Sequence, residues 1–181
     1  MKKEGECPMS KMPLFAFAVV LAFSSAGPLR AQSGEAEYLS RFSGQWQASG
    51  LVRRNATSAP NKVSCKMAGN HRQNRAGVGG TCRAALIFTR EISADLNYDP
   101  VNDRYTGVYK GSTIGPARLS GTRKGDVLTL NVRWPKPVNG DHHATMIINN
   151  PDRGAFSFIV IDKVAPDGPV EQMTNLTFAK P

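Results

Sequence analysis

Short segments in which apolar and polar residues alternate constrain the fold of this 181-residue chain more than any other feature. In residues 91–98 and again in residues 126–134, an apolar side chain occurs at every second position. A period of two places these apolar side chains on one face of a β-strand. Both segments are therefore predicted as strands with one buried face.

Weaker strand signals flank these two segments, and turn residues separate them. Turns such as Asn139-Gly140 and Asp152-Arg153-Gly154 recur about every 8 to 12 residues, a spacing typical of antiparallel hairpins. Residues 81–89 and 91–98 have no Gly or Pro between them and can form one bent strand. The other segments with strand signals are residues 45–53, 62–68, 104–110, 117–122, 143–149, 155–162 and 172–179.

A helical pattern covers residues 35–42, directly before the first predicted strand. We predict an all-β fold, an antiparallel up-and-down β-barrel of eight to ten strands with a short N-terminal helix. A barrel is favoured because closing the sheet removes the exposed edges that an open sheet of consecutive hairpins would keep.

The N-terminus has the pattern of a secretory signal peptide. Lys2, Lys3 and Lys11 precede an apolar run at residues 14–23, and small residues follow as far as Ala31. The run is too short for a membrane anchor, which takes about 20 apolar residues. We predict a signal peptide at residues 1–31 and a single periplasmic or secreted domain at residues 32–181, about 150 residues long.

Cysteine usage and charge both bear on this secreted domain. Cys65 and Cys82 remain after cleavage, and in an oxidising compartment such a pair is more often a disulfide than a metal or catalytic site. The full chain has 23 Lys and Arg against 14 Asp and Glu. Removing the leader leaves 19 − 12 = +7, so the domain is basic.

The positive charge is concentrated between Arg53 and Arg90, a segment with eight Lys or Arg and no Asp or Glu. A field of one sign favours anionic partners, although the charges can equally form a solvated surface spread around the barrel. The segment 66–80 is predicted as a loop that the disulfide holds at both ends, and as the main contact. The predicted ligand-binding residues are Arg53, Arg54, Lys66, Arg72, Arg75 and Arg83.

No motif for catalysis is found, so no enzymatic activity, catalytic residue, cofactor or metal is predicted. The sequence contains no Gly-x-Ser-x-Gly, His-Glu-x-x-His or Cys-x-x-Cys pattern. His142 and His143 are adjacent in a predicted strand and therefore point to opposite faces, which prevents them from sharing one metal ion. His142 is expected on the inner face together with Ala144.

The segment Ser43-Gly44-Gln45-Trp46 after a short helix resembles the start of the calycin barrels, the lipocalins and their relatives. Gly44 lets the backbone approach a neighbour closely, and Trp46 is large enough to anchor the core. Trp46 is expected to be buried where the first and last strands meet. The resemblance further implies that a basic side chain near the end of the last strand, here Lys180, covers it.

Residues 42–82, with Cys65 and Cys82, are also similar to the bacterial alkaline-metalloprotease inhibitors. That resemblance implies an early disulfide. It also implies that the segment before the barrel, here residues 32–38, enters the active-site cleft of a protease.

Two functions follow as alternatives. The first is a monomeric, non-enzymatic binding module for an anionic or amphipathic envelope ligand, namely a lipid head group, lipopolysaccharide or acidic polysaccharide, without specific nucleic-acid recognition. The second is a protease inhibitor. An open apolar lumen would favour a ligand inside the barrel, whereas a lumen filled by Trp46, Trp134, Phe156 and Phe158 leaves the outer surface for binding.

Overall fold

A computed structural model describes residues 28–84 and 88–181, with side chains from residue 34 onward. It contains one helix, α1 (Pro28–Ser40), followed by ten strands. The strands are β1 (Gly44–Val52), β2 (Asn61–Arg72), β3 (Arg75–Ala84), β4 (Phe88–Asp99), β5 (Arg104–Lys110), β6 (Ala117–Lys124), β7 (Val127–Val138), β8 (Asp141–Asn149), β9 (Ala155–Lys163) and β10 (Val170–Ala179).

The ten strands form one closed barrel in which each strand pairs antiparallel with its neighbours in sequence, and β1 pairs with β10. The predicted all-β up-and-down barrel with a short N-terminal helix is therefore confirmed. The strand count is at the upper end of the predicted range, because β3 and β4 are separate strands. Residues 1–27, most of the predicted signal peptide, lie outside the described residues, and residues 28–31 belong to α1.

The prediction was wrong for the segment between the two cysteines. Residues 66–80 do not form a loop, because β2 and β3 are paired from Val63–Ala84 to Arg72–Arg75 and only two residues connect them. The alternation in β3 is hidden in the sequence because Gly77, Gly79 and Gly80 carry no side chain to mark a face. For the same reason the third strand begins at Arg75 rather than at residue 81.

The barrel interior contains one buried apolar cluster to which every strand contributes. Cys65 and Cys82 form the predicted disulfide inside this cluster, between directly opposite residues of β2 and β3. Closing a loop of this length stabilises a fold by about 3 kcal/mol on the chain-entropy model. The disulfide therefore cross-links the middle of the hairpin.

Trp46 occupies the predicted position, next to the junction of β1 and β10, and is 1% exposed. Its indole Nε1 donates a hydrogen bond to the carbonyl oxygen of Phe42 at 2.8 Å. Lys180 covers the ring as expected, with Nζ 3.5 Å from the ring centroid and 2.6 Å from the carbonyl oxygen of Ser43. Gly44 has φ of +113°, and a Cβ there would lie 2.5 Å from Lys180 Nζ. The absence of a side chain at Gly44 thus permits the positive φ and leaves room for Lys180 above the Trp46 ring.

Helix α1 caps the end of the barrel at which Trp46 lies. Tyr38, Leu39 and Phe42 are buried against the barrel residues, and Phe42 packs edge-on against Phe156 with ring centroids 5.4 Å apart. Below the helix, Arg123 Nε donates to Glu35 Oε2 at 2.8 Å. The helix is thus attached by apolar packing and by a nearly buried ion pair.

The cluster around this ion pair contains two buried tyrosines. Tyr105 donates its hydroxyl to Glu35, and the guanidinium of Arg123 lies 4.8 Å from the ring centroid of Tyr38. Burial raises the pKa of both tyrosines above the usual range. The hydrogen bonds to Glu35 raise the pKa of Arg123 in turn, so this guanidinium stays charged.

Candidate functional site: an arginine-lined groove on the outer face

A groove of about 970 Å³ runs across the outside of the barrel, from β2 to β8. Its side chains alternate along each strand with core residues such as Ala76, Leu96 and Leu119, which are buried inside. The period of two in each strand therefore presents the intervening polar residues to solvent on this face. The outward-facing lining residues are Asn70, Arg72, Arg75, Gly77, Asp95, Asn97, Thr106, Val108, Arg118, Ser120, Asn131, Arg133 and His143.

Strand register arranges these residues in two parallel rows. Each row crosses the strands at directly opposite positions, so neighbours within a row are one strand spacing apart, about 4.8 Å. The first row is Asn70, Gly77, Asp95, Val108, Arg118, Arg133 and His143. The second row is Arg72, Arg75, Asn97, Thr106, Ser120 and Asn131.

Four arginines of the groove form two pairs of like charge. Arg72 lies directly opposite Arg75, and Arg118 lies directly opposite Arg133. Within the part of the chain that the structure describes, no carboxylate oxygen lies within 4.0 Å of any of these guanidinium groups. Like charges opposite each other destabilise a sheet. Among the described residues, the barrel therefore carries uncompensated positive charge at both ends of the groove.

The middle of the groove is neutral or acidic. Asp95 lies on β4 between the two arginine pairs, and Thr106 and Val108 lie on the adjoining strand β5. A Cβ on Gly77 would lie 2.9 Å from Asp95 Oδ1, so the glycine gives this carboxylate room to lie close to β3. Asn97 accepts a hydrogen bond from Arg75 Nε at 3.2 Å and thereby orients that arginine.

Of the ligand-binding residues predicted from the sequence, Arg72 and Arg75 lie together in the groove. Arg53 and Arg54 instead lie after β1, at the opposite end of β2. Arg53 pairs with Glu171 at 2.6 Å and donates to the carbonyl oxygens of Asn55 and Ala56. Arg53 thus attaches the β1–β2 connection to β10.

Lys66 and Arg83 are exposed on the outer face of the β2–β3 hairpin but do not line the groove. Lys66 is six residues from Arg72 along β2, or roughly 20 Å, and Arg83 is eight residues from Arg75 along β3, or roughly 26 Å. Both separations exceed the Debye length of about 8 Å at physiological salt. The predicted set of six cations is therefore divided among three places on the molecule.

Sequence reasoning missed Arg118 and Arg133 because they lie beyond the segment without acids. The signal that could have found them is the turn at Lys124-Gly125-Asp126, which sets the register of the β6–β7 hairpin. Pairing Lys124 with residue 127 places residue 118 opposite residue 133, as the structure shows. His143 was predicted to face away from the inner side of β8, and it lines the groove beside Arg133.

The four aromatic residues considered for the lumen all point into the barrel. Trp46, Trp134 and Phe156 are buried, and Phe158 is partly buried against the core. Trp134 Nε1 donates to Asp162 Oδ2 at 3.2 Å, and burial raises the pKa of that carboxyl. His142 is half-buried on the inner side, with Nδ1 3.0 Å from the carbonyl oxygen of Trp134. These side chains occupy the interior, and the large groove lies outside.

The described residues contain no group of three or more His, Cys, Asp or Glu side chains placed to hold a metal ion. Within the same residues, no helix has the length and apolar character that a membrane span requires.

Comparison with known proteins bears on the fold. No family model matches the sequence, and no curated protein matches it. Among solved structures, the chain is similar to the crystal structure of Rv2717c from M. tuberculosis, with a TM-score of 0.62 and 14% sequence identity. The similarity covers 83% of this chain and 97% of that one. At this identity the similarity shows a shared barrel fold alone.

Proposed function

We propose that the protein is a non-enzymatic binding module whose outer groove holds a ligand that carries anionic groups. The observation that carries the proposal is the two cross-strand arginine pairs, Arg72–Arg75 and Arg118–Arg133, which have no carboxylate oxygen within 4.0 Å among the described residues. Guanidinium groups bind carboxylate, sulfate and phosphate through paired hydrogen bonds. An anion placed between the members of a pair would relieve their repulsion on binding.

The interior of the barrel favours the groove over the lumen as the binding site. Apolar side chains of every strand, including Trp46 and Trp134, form a buried cluster in the lumen that a lipocalin-type barrel would use for an apolar ligand. Four arginines and one aspartate give the groove a net charge of 4 − 1 = +3, not counting His143. The calycin-like resemblance thus accounts for the barrel and for Trp46, and the ligand site is on a different surface.

We further propose that the domain acts in the periplasm or outside the cell after removal of residues 1–31. The Cys65–Cys82 disulfide supports an oxidising compartment. Glu35, which accepts a hydrogen bond from Arg123 of the barrel, lies downstream of the proposed cut at Ala31. The mature chain would therefore keep the contacts that attach the helix.

The inhibitor alternative requires residues 32–38 to enter a protease. In the structure Glu35 and Tyr38 are buried against the end of the barrel. A protease could reach them only after the helix leaves its site, which would break the Glu35–Arg123 ion pair. This geometry favours the groove as the functional surface.

Titration calorimetry with dextran sulfate, and with neutral dextran as the uncharged control, tests the proposal. We expect the double variant Arg118→Gln/Arg133→Gln to bind dextran sulfate about tenfold more weakly than wild type at low salt, a loss of about 1.4 kcal/mol. Affinity should also fall steeply as salt approaches the physiological level.

The variant Lys66→Gln/Arg83→Gln is the matched control. It removes the same charge from the same outer face but outside the groove, so it should keep most of the affinity. Equal losses in the two double variants would mean that net charge alone attracts the polymer, and the proposal would be wrong.

A further inference from the structure

We infer that the groove binds a terminal phosphate group at its β8 end, through a triplet made of Arg118, Arg133 and His143. This inference rests on the proposed function and adds the class of ligand, which is a phosphate monoester. It follows from the register that aligns these three side chains and from the place where the groove ends.

The members of the triplet lie directly opposite one another on consecutive strands. Arg118 on β6 lies opposite Arg133 on β7, and Arg133 lies opposite His143 on β8. The triplet therefore spans two strand spacings, or about 10 Å. Among the described residues, none of its three side chains makes a hydrogen bond to another residue. Their N–H groups are thus available to a ligand.

The triplet matches a phosphate monoester better than a carboxylate. A phosphate monoester has three terminal oxygens and a charge of about −1.5 to −2 at neutral pH. Two guanidinium groups and one imidazole N–H offer a separate donor to each of these oxygens. A carboxylate carries a single charge, and a bidentate contact with one guanidinium already uses both of its oxygens. Only the phosphate offsets the charge of both arginines.

The acids closest to the triplet leave its positive charge in place. Asp141 Oδ1 accepts a hydrogen bond from the backbone N–H of His143 at 2.8 Å, and its Oδ2 lies 3.1 Å from Lys163 Nζ. Both oxygens of Asp141 therefore have partners outside the triplet side chains. Asp95 shares the row but lies two strand spacings from Arg118, or about 10 Å. That separation exceeds the Debye length of about 8 Å at physiological salt.

The groove ends at His143, which makes the bound phosphate a terminal one. In the described part of the chain, the lining residues belong to strands β2 to β8. Beyond His143, the Lys163–Asp141 ion pair borders this end. A phosphodiester inside a longer chain would have to continue past that ion pair. The rest of the ligand therefore extends the other way, over β6 and β5, where Val108 lies opposite Arg118 and offers apolar contact.

The test is a series of NMR titrations of the ¹⁵N-labelled protein at neutral pH and low salt. Three probes share a phenyl group: phenyl phosphate, its diester methyl phenyl phosphate, and phenylmalonate, which carries two carboxylates. We expect phenyl phosphate to bind about tenfold more tightly than the diester, which lacks one terminal oxygen and one charge. It should bind about threefold more tightly than phenylmalonate, which has the same charge on different groups.

Variants locate the phosphate within the groove. Arg118→Gln/Arg133→Gln should bind phenyl phosphate about tenfold more weakly than wild type, and His143→Leu about threefold more weakly. Arg72→Gln/Arg75→Gln is the matched control, because it removes the same charge from the other end of the groove. It should keep the affinity of wild type, and the amide shifts should remain confined to β6, β7 and β8.

The outcomes separate this inference from the proposed function. Equal affinity for phenyl phosphate and phenylmalonate would overturn the phosphate, and equal affinity for the diester would overturn its terminal position. Absence of shifts in β6 to β8, or unchanged phenyl phosphate affinity in Arg118→Gln/Arg133→Gln, would overturn the triplet as the site. In each case anion binding by the groove stands if that variant still loses affinity for dextran sulfate. If it binds dextran sulfate like wild type, the proposed function fails as well.

Discussion

The two arginine-rich regions of this barrel differ in whether carboxylates neutralise their positive charge. At the end capped by α1, Arg41 donates to Asp126 at 2.8 Å and Arg123 donates to Glu35 at the same distance. In the groove, each arginine lies directly opposite another arginine on one of its neighbouring strands. Charges in the first region are compensated within the protein, whereas those in the second are open to an external anion.

The comparison indicates which arginines stabilise the fold and which serve a ligand. A compensated, nearly buried ion pair loses stability when one partner is removed. An exposed pair of like charges gains stability when one partner is removed. Substitutions in the two regions should therefore change the free energy of unfolding in opposite directions.

The largest effect is expected at the capped end, from Trp46→Ala. Loss of a buried tryptophan typically costs about 3 to 5 kcal/mol, and here it also removes the ring that Lys180 covers. Urea denaturation should show a midpoint far below that of wild type, or no folded state. Leu51→Ala on the same strand, where the side chain is 46% exposed, should change stability by less than about 0.5 kcal/mol. A Trp46→Ala protein as stable as wild type would remove this residue from the folding core.

An intermediate effect is expected from breaking the Glu35–Arg123 pair. Because the two side chains are 12% and 18% exposed, we expect Arg123→Met to cost roughly 2 to 3 kcal/mol, less than a fully buried pair. Glu35→Gln should cost a similar amount, and the double variant less than the sum, because both changes remove the same interaction.

A denaturation series over the two single variants and the double variant measures this coupling. Arg153→Gln is the control, since its ion pair with Glu37 is 3.6 Å long and largely exposed. Exposed pairs are worth about 0 to 1 kcal/mol, so this variant should resemble wild type. Strict additivity of Glu35→Gln and Arg123→Met would show that the pair does not attach the helix.

The capped end could be predicted from the sequence because its signals are local. Gly44 and Trp46 are two residues apart, and their resemblance to calycin barrels pointed to Lys180 at the other end of the domain. Only the ion pair was missed, since Glu35 and Arg123 are 88 residues apart and neither belongs to a motif. The alternation of apolar and polar residues is also a local signal, and it predicted most strands of the barrel.

The groove could be predicted only in part, because it depends on register between strands distant in sequence. Arg72 and Arg75 were found through the segment without acids, and Arg118 and Arg133 lie outside it. Arg75 and Arg83 both belong to the segment without acids, although they lie roughly 26 Å apart along β3. A cluster of charges in the sequence therefore does not predict a cluster on the barrel surface. Each strand extends from one end of the barrel to the other, so charges on the same strand can lie far apart.

The smallest effect, and the one of opposite sign, is expected from relieving a like-charge pair in the groove. Replacing Arg118 with Gln keeps a long polar side chain opposite Arg133 and removes the repulsion between them. We expect Arg118→Gln to raise the free energy of unfolding by about 0.5 kcal/mol at low salt, within the range for cross-strand pairs. Molar salt should abolish the gain, because it shortens the Debye length to about 3 Å. Lys66→Gln, whose cross-strand neighbours are Gln47 and Thr81, should show no such gain in the same urea titrations. If Arg118→Gln instead lowers stability as Arg123→Met does, the groove arginines are structural and the contrast between the two regions is lost.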